Sequence, residues 1–232
     1  MKQFTLFLLL IWSISASAQM NIDDFLLGAS AKKLNEQCIR LVPDYPYASG
    51  SAWYKKSIDL SAPFDMQVCL VLGCNDEEGA DGIVFVFHPR LATGYWGEGM
   101  GFSGLIPSLG IEFDTYQNYH LADPAEDHLA IMRDGRTHHA STLIGPIELP
   151  NLEDCQKHPL QITWNPSDQL LEIYLDNELR ASYEGDIVQE IFRGNSIVYW
   201  GVTAATGRLS NSHDICIKKL MFAELQPPLK RF

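Results

Sequence analysis

The stretch that decides the fold runs from Gly110 to Ala130 and reads G-I-E-F-D-T-Y-Q-N-Y-H-L-A-D-P-A-E-D-H-L-A. Its first residues alternate between apolar and polar, which is the period-two pattern of a strand with one buried face. Ile111 and Phe113 therefore point to one face of the strand, and Glu112 and Asp114 point to the other. The pattern predicts a β-strand that carries two neighbouring carboxylates on one side.

Two carboxylates side by side repel each other, and a bound cation or a catalytic acid/base pair relieves that repulsion. The following residues favour a cation, because Asn118, Asp123 and His128 add donor atoms within 16 residues of Glu112. Oxygens with one imidazole suit Mn²⁺ or another transition ion, and four residues offer such a set: Glu112, Asp114, Asp123 and His128. Oxygens alone suit Ca²⁺, and Asp114, Asn118, Asp123 and a backbone carbonyl offer those. A solvated acidic loop without an ion is the alternative.

The rest of the chain carries many further strand signals. Segments rich in Val, Ile, Phe, Tyr and Trp occur at 64–73, 82–88, 109–115, 129–132, 160–164, 170–175, 197–204 and 215–222. One short helix is predicted over 186–192, with Gly194 just beyond its end. Many short strands with a single helix predict an all-β protein built as a β-sandwich.

Composition and charge limit the function classes. A chain of 232 residues that is 46% hydrophobic can bury a sizeable core as one β domain. Its formal net charge of -12 repels phosphate backbones, so we expect no nucleic-acid partner. No stretch approaches the ~20 apolar residues that a membrane-spanning helix needs, so we do not expect a membrane-spanning protein.

The N-terminus has the pattern of a secretory signal peptide. Lys2 precedes an apolar run at 4–12, and Ala16-Ser17-Ala18 supplies small residues for cleavage. We therefore expect a secreted, cell-surface or periplasmic protein. The predicted organisation is a signal peptide at 1–18, an N-terminal lead-in at 19–29, one domain at 30–224 and a C-terminal tail at 225–232.

The chain contains five cysteines, and export permits disulfides. Because five is odd, at most two bridges form within the chain, and the sequence leaves their pairing open. No two cysteines form a Cys-x-x-Cys pair, which disfavours a zinc site or a thioredoxin-like centre.

The order Glu, Asp, aromatic, Asn, Asp and His between 112 and 128 resembles the metal-binding run of the legume-lectin (L-type lectin) family. The resemblance covers roughly residues 30–224 and is closest to secreted bacterial members. It implies a concanavalin A-like jelly-roll sandwich and a metal-dependent carbohydrate-binding protein that is not an enzyme. Its transition-ion ligands would be Glu112, Asp114, Asp123 and His128. Its Ca²⁺ ligands would be Asp114, the Tyr116 carbonyl, Asn118 and Asp123.

Histidines and a serine downstream of this run receive different expectations. The resemblance implies that His138 or Ser141 completes the outer shell of the metal site. His139 and His120 are predicted to be surface histidines.

The same resemblance implies a sugar site. Asp81 lies in a turn that is similar to the family's Ala-Asp turn, where a cis peptide aims the carboxylate at sugar hydroxyls. The Gly-x-Gly-x-Gly stretch at 97–101 resembles the family's glycine loop, and Gly101, then Gly99, is the expected N–H donor. Trp96 is expected either to add a second platform for the sugar or to pack. The predicted sugar-binding residues are Asp81, Gly99, Gly101, Tyr116, Asn118, Gly207 and Arg208.

Two other function classes remain open at this point. Some glycoside hydrolases share this sandwich and carry Glu-x-Asp-x-Glu on one strand, but here Tyr116 replaces the second Glu, so retaining hydrolysis lacks its acid/base partner. A protein-binding surface module with a vestigial sugar site is the third class. For a lectin we expect glycans or glycoconjugates as partners, with several weak sites combined in a homo-oligomer or through attached modules.

Overall fold

The computed structural model describes residues 21–222, which form two antiparallel β-sheets packed face to face. The predicted all-β sandwich is therefore confirmed. The strands are β1 (Phe25–Ala29), β2 (Lys32–Lys33), β3 (Cys38–Val42), β4 (Ser49–Tyr54), β5 (Ile58–Asp59), β6 (Phe64–Val71), β7 (Gly82–His88), β8 (Leu109–Asp114), β9 (His128–Arg133), β10 (Ile144–Glu148), β11 (His158–Asn165), β12 (Leu170–Leu175), β13 (Glu178–Glu184), β14 (Ile197–Ala205) and β15 (His213–Phe222).

Helical structure in the described residues is limited to single turns. The α-helix α1 (Ile187–Glu190) lies inside the predicted helix, and the Asp186 side chain caps it by accepting from the Gln189 N–H. Four turns of 3-10 helix lie at Ile22–Asp24, Gly97–Gly99, Tyr119–Leu121 and His139–Ser141. The last three of these turns lie in loops that border the site described below.

The first sheet has the strand order β1-β4-β14-β7-β8-β9-β10, and the short strand β5 pairs with β14. The second sheet has the order β13-β12-β11-β6-β15-β3-β2. Large side chains from both sheets fill the space between them, including Phe85, Phe113 and Trp200. The strand β8 is thus a central strand of the first sheet, with β7 and β9 as its neighbours.

The alternation predicted for β8 is confirmed. Ile111 and Phe113 belong to the core between the sheets and have no exposed surface. Glu112 and Asp114 lie on the opposite face of the strand. That face is also buried, since both residues are only 2% exposed. A second apolar cluster covers that outer face, and it consists of Trp53, Val84, Val86, Met100, Phe102, Leu105, Ala130 and Met132. The loop between β7 and β8 supplies Met100, Phe102 and Leu105 to this outer cluster.

The N-terminal strands were not predicted from the sequence. The strand β1 pairs with β4 in regular register from Phe25↔Tyr54 to Ala29↔Gly50. Because β1 lies within the predicted lead-in at 19–29, the sandwich begins before residue 30. The predicted signal peptide and C-terminal tail lie outside the described residues. Within residues 21–222 we find no helix that is long and apolar enough to cross a membrane.

The structure pairs four of the five cysteines. One disulfide joins Cys38 of β3 to Cys216 of β15, and the other joins Cys74 to Cys155 between two loops. Cys69 is free and buried, and it lies opposite Cys216 in the ladder between β6 and β15. The maximum of two bridges that the odd cysteine count allows is therefore reached.

The alternation along β8 makes a prediction about stability. Replacing Phe113 by alanine removes a fully buried ring between two acidic neighbours and leaves a cavity in the core. We expect the free energy of unfolding to fall by about 3–5 kcal/mol in a denaturant titration. The matched control Leu179→Ala changes a half-exposed side chain and should stay within about 0.5 kcal/mol of the parent. Equal stability of the two variants would contradict the assigned strand faces.

Candidate functional site

The predicted acidic residues converge around a buried histidine. Glu112 Oε2 lies 2.9 Å from His139 Nε2, and Asp123 Oδ1 lies 3.1 Å from His139 Nδ1. All three side chains are 2% exposed or less. The prediction that His139 is a surface residue is therefore wrong. The chain turns back after β9 and places His139 over the acidic face of β8, an arrangement that the local sequence does not reveal.

Two overlapping groups of side chains have the geometry to hold a metal ion. One contains Glu112, His128 and His139, the other contains Asp114, Asp123 and His128, and within each group the donor atoms lie within 4.8 Å of one another. His138 and Ser141, the residues expected in the outer shell, instead bond to their own turn: the His138 Nδ1 accepts from the Ala140 N–H, and the Ser141 hydroxyl donates to the His138 carbonyl.

Hydrogen bonds fold the loop after β8 around these carboxylates. The Tyr116 N–H donates to Asp114 Oδ1 at 2.8 Å, and the Asn118 N–H donates to Asp123 Oδ2 at 2.7 Å. The Asn118 Oδ1 is buried and has no hydrogen-bond partner. The predicted Ca²⁺ ligands Asp114, Tyr116, Asn118 and Asp123 are thus brought into one loop, with an unpartnered amide oxygen among them.

The electrostatics of the cluster favour a bound cation. Burial raises the pKa of Asp114 well above its usual value, and the negative charge of Glu112 adds to that shift. Burial also raises the pKa of Glu112, although its hydrogen bond from His139 opposes the shift. Burial, together with the charge of His139, lowers the pKa of His128 to about 4, so His128 is neutral and its Nε2 has no hydrogen-bond partner. Buried carboxylates, an unpartnered imidazole nitrogen and an unpartnered amide oxygen are donors that fit divalent ions.

A surface pocket lies beside this cluster. Its lining residues are Ala80, Asp81, Glu98, Tyr116, Asn118, Gly207, Arg208 and Leu209. Five of the seven predicted sugar-binding residues are among them: Asp81, Tyr116, Asn118, Gly207 and Arg208. Asn118 and Tyr116 connect the two parts, because they line the pocket and belong to the loop that encloses the carboxylates.

The two predicted glycines do not line the pocket. The Gly101 N–H donates to the Tyr95 carbonyl at 2.7 Å, so its expected role as a donor to a ligand is corrected. Gly101 has a φ of +75°, and a Cβ there would come within 2.7 Å of the Trp96 ring. A side chain at Gly99 would likewise collide with Ser103, at 2.8 Å. Both glycines therefore serve loop packing, and Trp96 packs on Gly101.

The residue of the glycine loop that does reach the pocket is Glu98. Sequence reasoning passed over it, although a charged residue held between two glycines at a loop tip was a usable signal. Glu98 Oε2 also lies 3.0 Å from His120 Nε2, which is exposed as predicted. This contact links the glycine loop to the loop that carries Asn118.

The backbone of Asp81 is fixed by hydrogen bonds, whereas one oxygen of its carboxylate has no hydrogen-bond partner. The Asp81 N–H donates to the Ala205 carbonyl, and the Asp81 carbonyl accepts from the Thr115 N–H at 2.9 Å. The Ala80-Asp81 peptide is cis, as the resemblance implies. Asp81 is 4% exposed, and its Oδ2 has no hydrogen-bond partner. Burial, with a contribution from the charge of Glu98, raises the pKa of Asp81 to about 7.

Two exposed tyrosines, which the sequence analysis did not single out, have their backbones next to residues that line the pocket. The Tyr47 N–H donates to the Gly207 carbonyl at 2.9 Å, and Tyr47 is 77% exposed. Tyr119 follows Asn118 directly and is 82% exposed. The backbone of each tyrosine is therefore adjacent to a residue that lines the pocket. Tyr47 lies far from the other site residues in sequence, so no local motif marks it.

Comparisons with known proteins agree with the β-sandwich fold. A family model described as the legume lectin beta-barrel domain matches residues 13–219. The solved structure of basic winged bean lectin with Tn-antigen is 21% identical with a TM-score of 0.68, and the match covers 84% of this chain and 90% of that chain. Lectin II from Ulex europaeus is 17% identical with a TM-score of 0.70, and the match covers 84% and 90% of the two chains.

A third similar structure is the exoplasmic/lumenal domain of VIP36 in its Ca²⁺/Man3GlcNAc-bound form. It is 20% identical with a TM-score of 0.69, and the match covers 90% of this chain and 87% of that chain. These likenesses confirm the predicted jelly-roll β-sandwich. Because the family model spans most of the sequence, the chain belongs to the legume-lectin (L-type lectin) family.

Proposed function

We propose that this protein is a secreted, metal-dependent lectin that binds a glycan without chemical conversion. The observation that carries the proposal is the unpartnered Asp81 carboxylate oxygen at a pocket whose wall is the loop around the acidic cluster. A buried carboxylate without a donor is costly, and sugar hydroxyls supply the missing donors.

The residues of the acidic cluster fit two divalent ions. Glu112, Asp114, Asp123 and His128 would hold Mn²⁺ or another transition ion. Asp114, the Tyr116 carbonyl, Asn118 and Asp123 would hold Ca²⁺. When bound, the ions neutralise the carboxylates that burial otherwise disfavours. Asn118 then has its Oδ1 committed to the ion, while its Nδ2 can donate to a ligand in the pocket.

The pocket residues suit a neutral, hydroxyl-rich ligand. Asp81 accepts hydrogen bonds from hydroxyls, Asn118 donates one, and Tyr116 offers a ring for the apolar face of a sugar. Arg208 is exposed at the pocket edge and can reach outward. Three similar solved structures are complexes with galactose, GalNAc or Man3GlcNAc, which supports a carbohydrate as the ligand of this pocket.

The affinity of one such pocket is expected to be weak. A few hydrogen bonds, each worth about 0.5–1.5 kcal/mol net, lead to a Kd near 1 mM, or about −4 kcal/mol. Useful binding then requires several pockets acting together, in a homo-oligomer or on attached modules.

The other function classes lose support from the geometry. A retaining hydrolase of the related sandwich class would use Glu112 as its nucleophile, but Glu112 does not line the pocket and is bonded to His139. A module with a vestigial sugar site is disfavoured by the retained cluster of metal-type donors. Release of reducing sugars from β-glucans separates a hydrolase from a lectin.

The central test is Asp81→Ala. The variant should lose glycan binding by about a hundredfold or more, because two hydrogen bonds to a charged acceptor contribute roughly 3 kcal/mol. A glycan array identifies the bound sugar, and a calorimetric titration with that sugar then measures the loss.

The matched control is Glu78→Gln, which removes an exposed carboxylate three residues upstream and outside the pocket lining. It should bind the sugar like the parent. Thermal melts of both variants exclude unfolding as the cause. A retained array signal for a folded Asp81→Ala protein would falsify the assigned site.

Metal dependence makes a second prediction. Asp123→Ala removes the carboxylate shared by both proposed ion sites, and we expect a loss of both ions, a lower melting temperature and weaker glycan binding. Mass spectrometry of bound metals gives the stoichiometry. Treatment of the parent protein with EDTA should reproduce the effect, and added Ca²⁺ and Mn²⁺ should reverse it.

Glu126→Ala is the control for this experiment, since it removes an exposed acid from the same segment. Its metal content should equal that of the parent. If Asp123→Ala keeps both ions, Asp123 does not bridge them. If the fully demetallated parent protein binds sugar normally, the proposed dependence of sugar binding on the ions is wrong.

A further inference from the structure

Three of the five cysteines form a row across the outer face of the second sheet. Cys69 of β6 lies opposite Cys216 of β15, and Cys216 lies opposite Cys38 of β3. Val68 and Leu70 belong to the core between the sheets, so Cys69 between them points away from that core. The three cysteines are buried and form a cluster of their own. The disulfide of this row joins Cys38 to Cys216, and Cys69 is a free thiol beside it.

Cys69 is within reach of this disulfide. Residues directly opposite each other in an antiparallel pair have Cα atoms about 4.5–5.5 Å apart, and their side chains point to the same face. A disulfide commonly spans Cα separations of about 4.4–6.8 Å. Since Cys69 and Cys216 are such a pair, a bond between them requires no change in the register of β6 and β15.

The order of the strands suits a thiol–disulfide exchange. Strand β15 lies between β6 and β3, so Cys69 and Cys38 flank Cys216 from opposite sides. A thiolate attacks a disulfide sulfur from the side opposite to the sulfur that leaves. The Cys69 thiolate would form a bond to Cys216 Sγ, and the Cys216–Cys38 bond would break with its electron pair on Cys38. The proton released by Cys69 is balanced by the proton that Cys38 takes up, so the exchange consumes no oxidant or reductant.

The two ends of the row differ in their surroundings. Cys69 lies in the middle of the sheet, since β6 has β11 on its other side and Pro159 of β11 is opposite Cys69. Cys38 lies near the sheet edge, because the ladder between β2 and β3 ends at Ile39, one residue after Cys38 in the chain. The adjoining residues 34–37 are exposed. An exchange therefore moves the free thiol from the middle of the sheet to its edge.

We propose that Cys69 exchanges with the Cys38–Cys216 disulfide, and that the Cys38 thiol released in this way is a modification site for low-molecular-weight disulfides. The Cys38 thiolate attacks one sulfur of such a molecule, a mixed disulfide forms on Cys38, and the other half of the molecule leaves as a thiol. The inference goes beyond the proposed function, because it involves neither the pocket nor the acidic cluster.

The test locates the modified cysteine. The folded parent protein is incubated with oxidised glutathione, quenched with acid and digested without reduction, and mass spectrometry then maps the disulfides. We expect glutathione on Cys38 together with a Cys69–Cys216 disulfide, while the Cys74–Cys155 disulfide stays intact as the internal control. The variant Cys69→Ser should lose the incorporation of glutathione, because it lacks the attacking thiol. Glutathione on Cys69, or no glutathione on Cys38, overturns the inference.

A second measurement tests the alternative pairing on its own. Cys38→Ser is refolded in a buffer of reduced and oxidised glutathione, and we expect it to contain a Cys69–Cys216 disulfide and no free thiol. The matched control Cys69→Ser should keep the Cys38–Cys216 disulfide, also with no free thiol. A folded Cys38→Ser protein with free thiols at Cys69 and Cys216 contradicts the inference. If Cys38→Ser does not fold, the position of glutathione in the parent protein decides.

Discussion

Glu112, Asp114 and Asp123 place three carboxylates in a volume from which solvent is almost fully excluded. Ionised carboxylates at such short range raise one another's pKa, and burial adds to the effect. A folded state that keeps these groups ionised needs positive charge among them. The observed conformation of the loop from Asp114 to Asp123 is therefore stable only when this positive charge is present. Backbone hydrogen bonds from the loop to the Asp114 and Asp123 carboxylates define its conformation.

The acidic cluster and the pocket are joined by short connections through the backbone. Asp114 pairs with Gly82 in the ladder between β7 and β8, and Gly82 directly follows Asp81. Thr115, which follows Asp114 in the chain, donates hydrogen bonds from both its N–H and its hydroxyl to the Asp81 carbonyl. A shift in the loop after β8 therefore moves the contacts that fix Asp81. This coupling gives a physical reason for a dependence of ligand binding on ions that do not themselves need to touch the ligand.

The local sequence pattern predicted strand β8 and its two faces correctly, but it did not predict the residues that pack around the site. The alternation from Ile111 to Asp114 is set by a single strand, so the sequence alone identified its two faces. His139 was misjudged because its burial depends on how the chain folds back after β9. Gly101 was predicted to donate its N–H to a sugar, but a glycine is also favoured where another side chain packs closely on the backbone. Only the three-dimensional contact with Trp96 distinguishes these two reasons for a glycine. Strand β1 was missed since its partner β4 also lacked a clear strand pattern.

His139 contributes to the charge balance of the acidic cluster, because its ring lies between the carboxylates of Glu112 and Asp123. Asp81 lies close enough to add its charge to that of Asp114, and the cluster and the adjacent pocket contain five carboxylates in total, with Glu98, Glu112 and Asp123. A further carboxylate ligand would leave an uncompensated buried charge, which is costly. Although burial opposes the shift, the interactions with Asp123 and Glu112 raise the pKa of His139 to about 9, so its positive charge offsets part of the carboxylate charge.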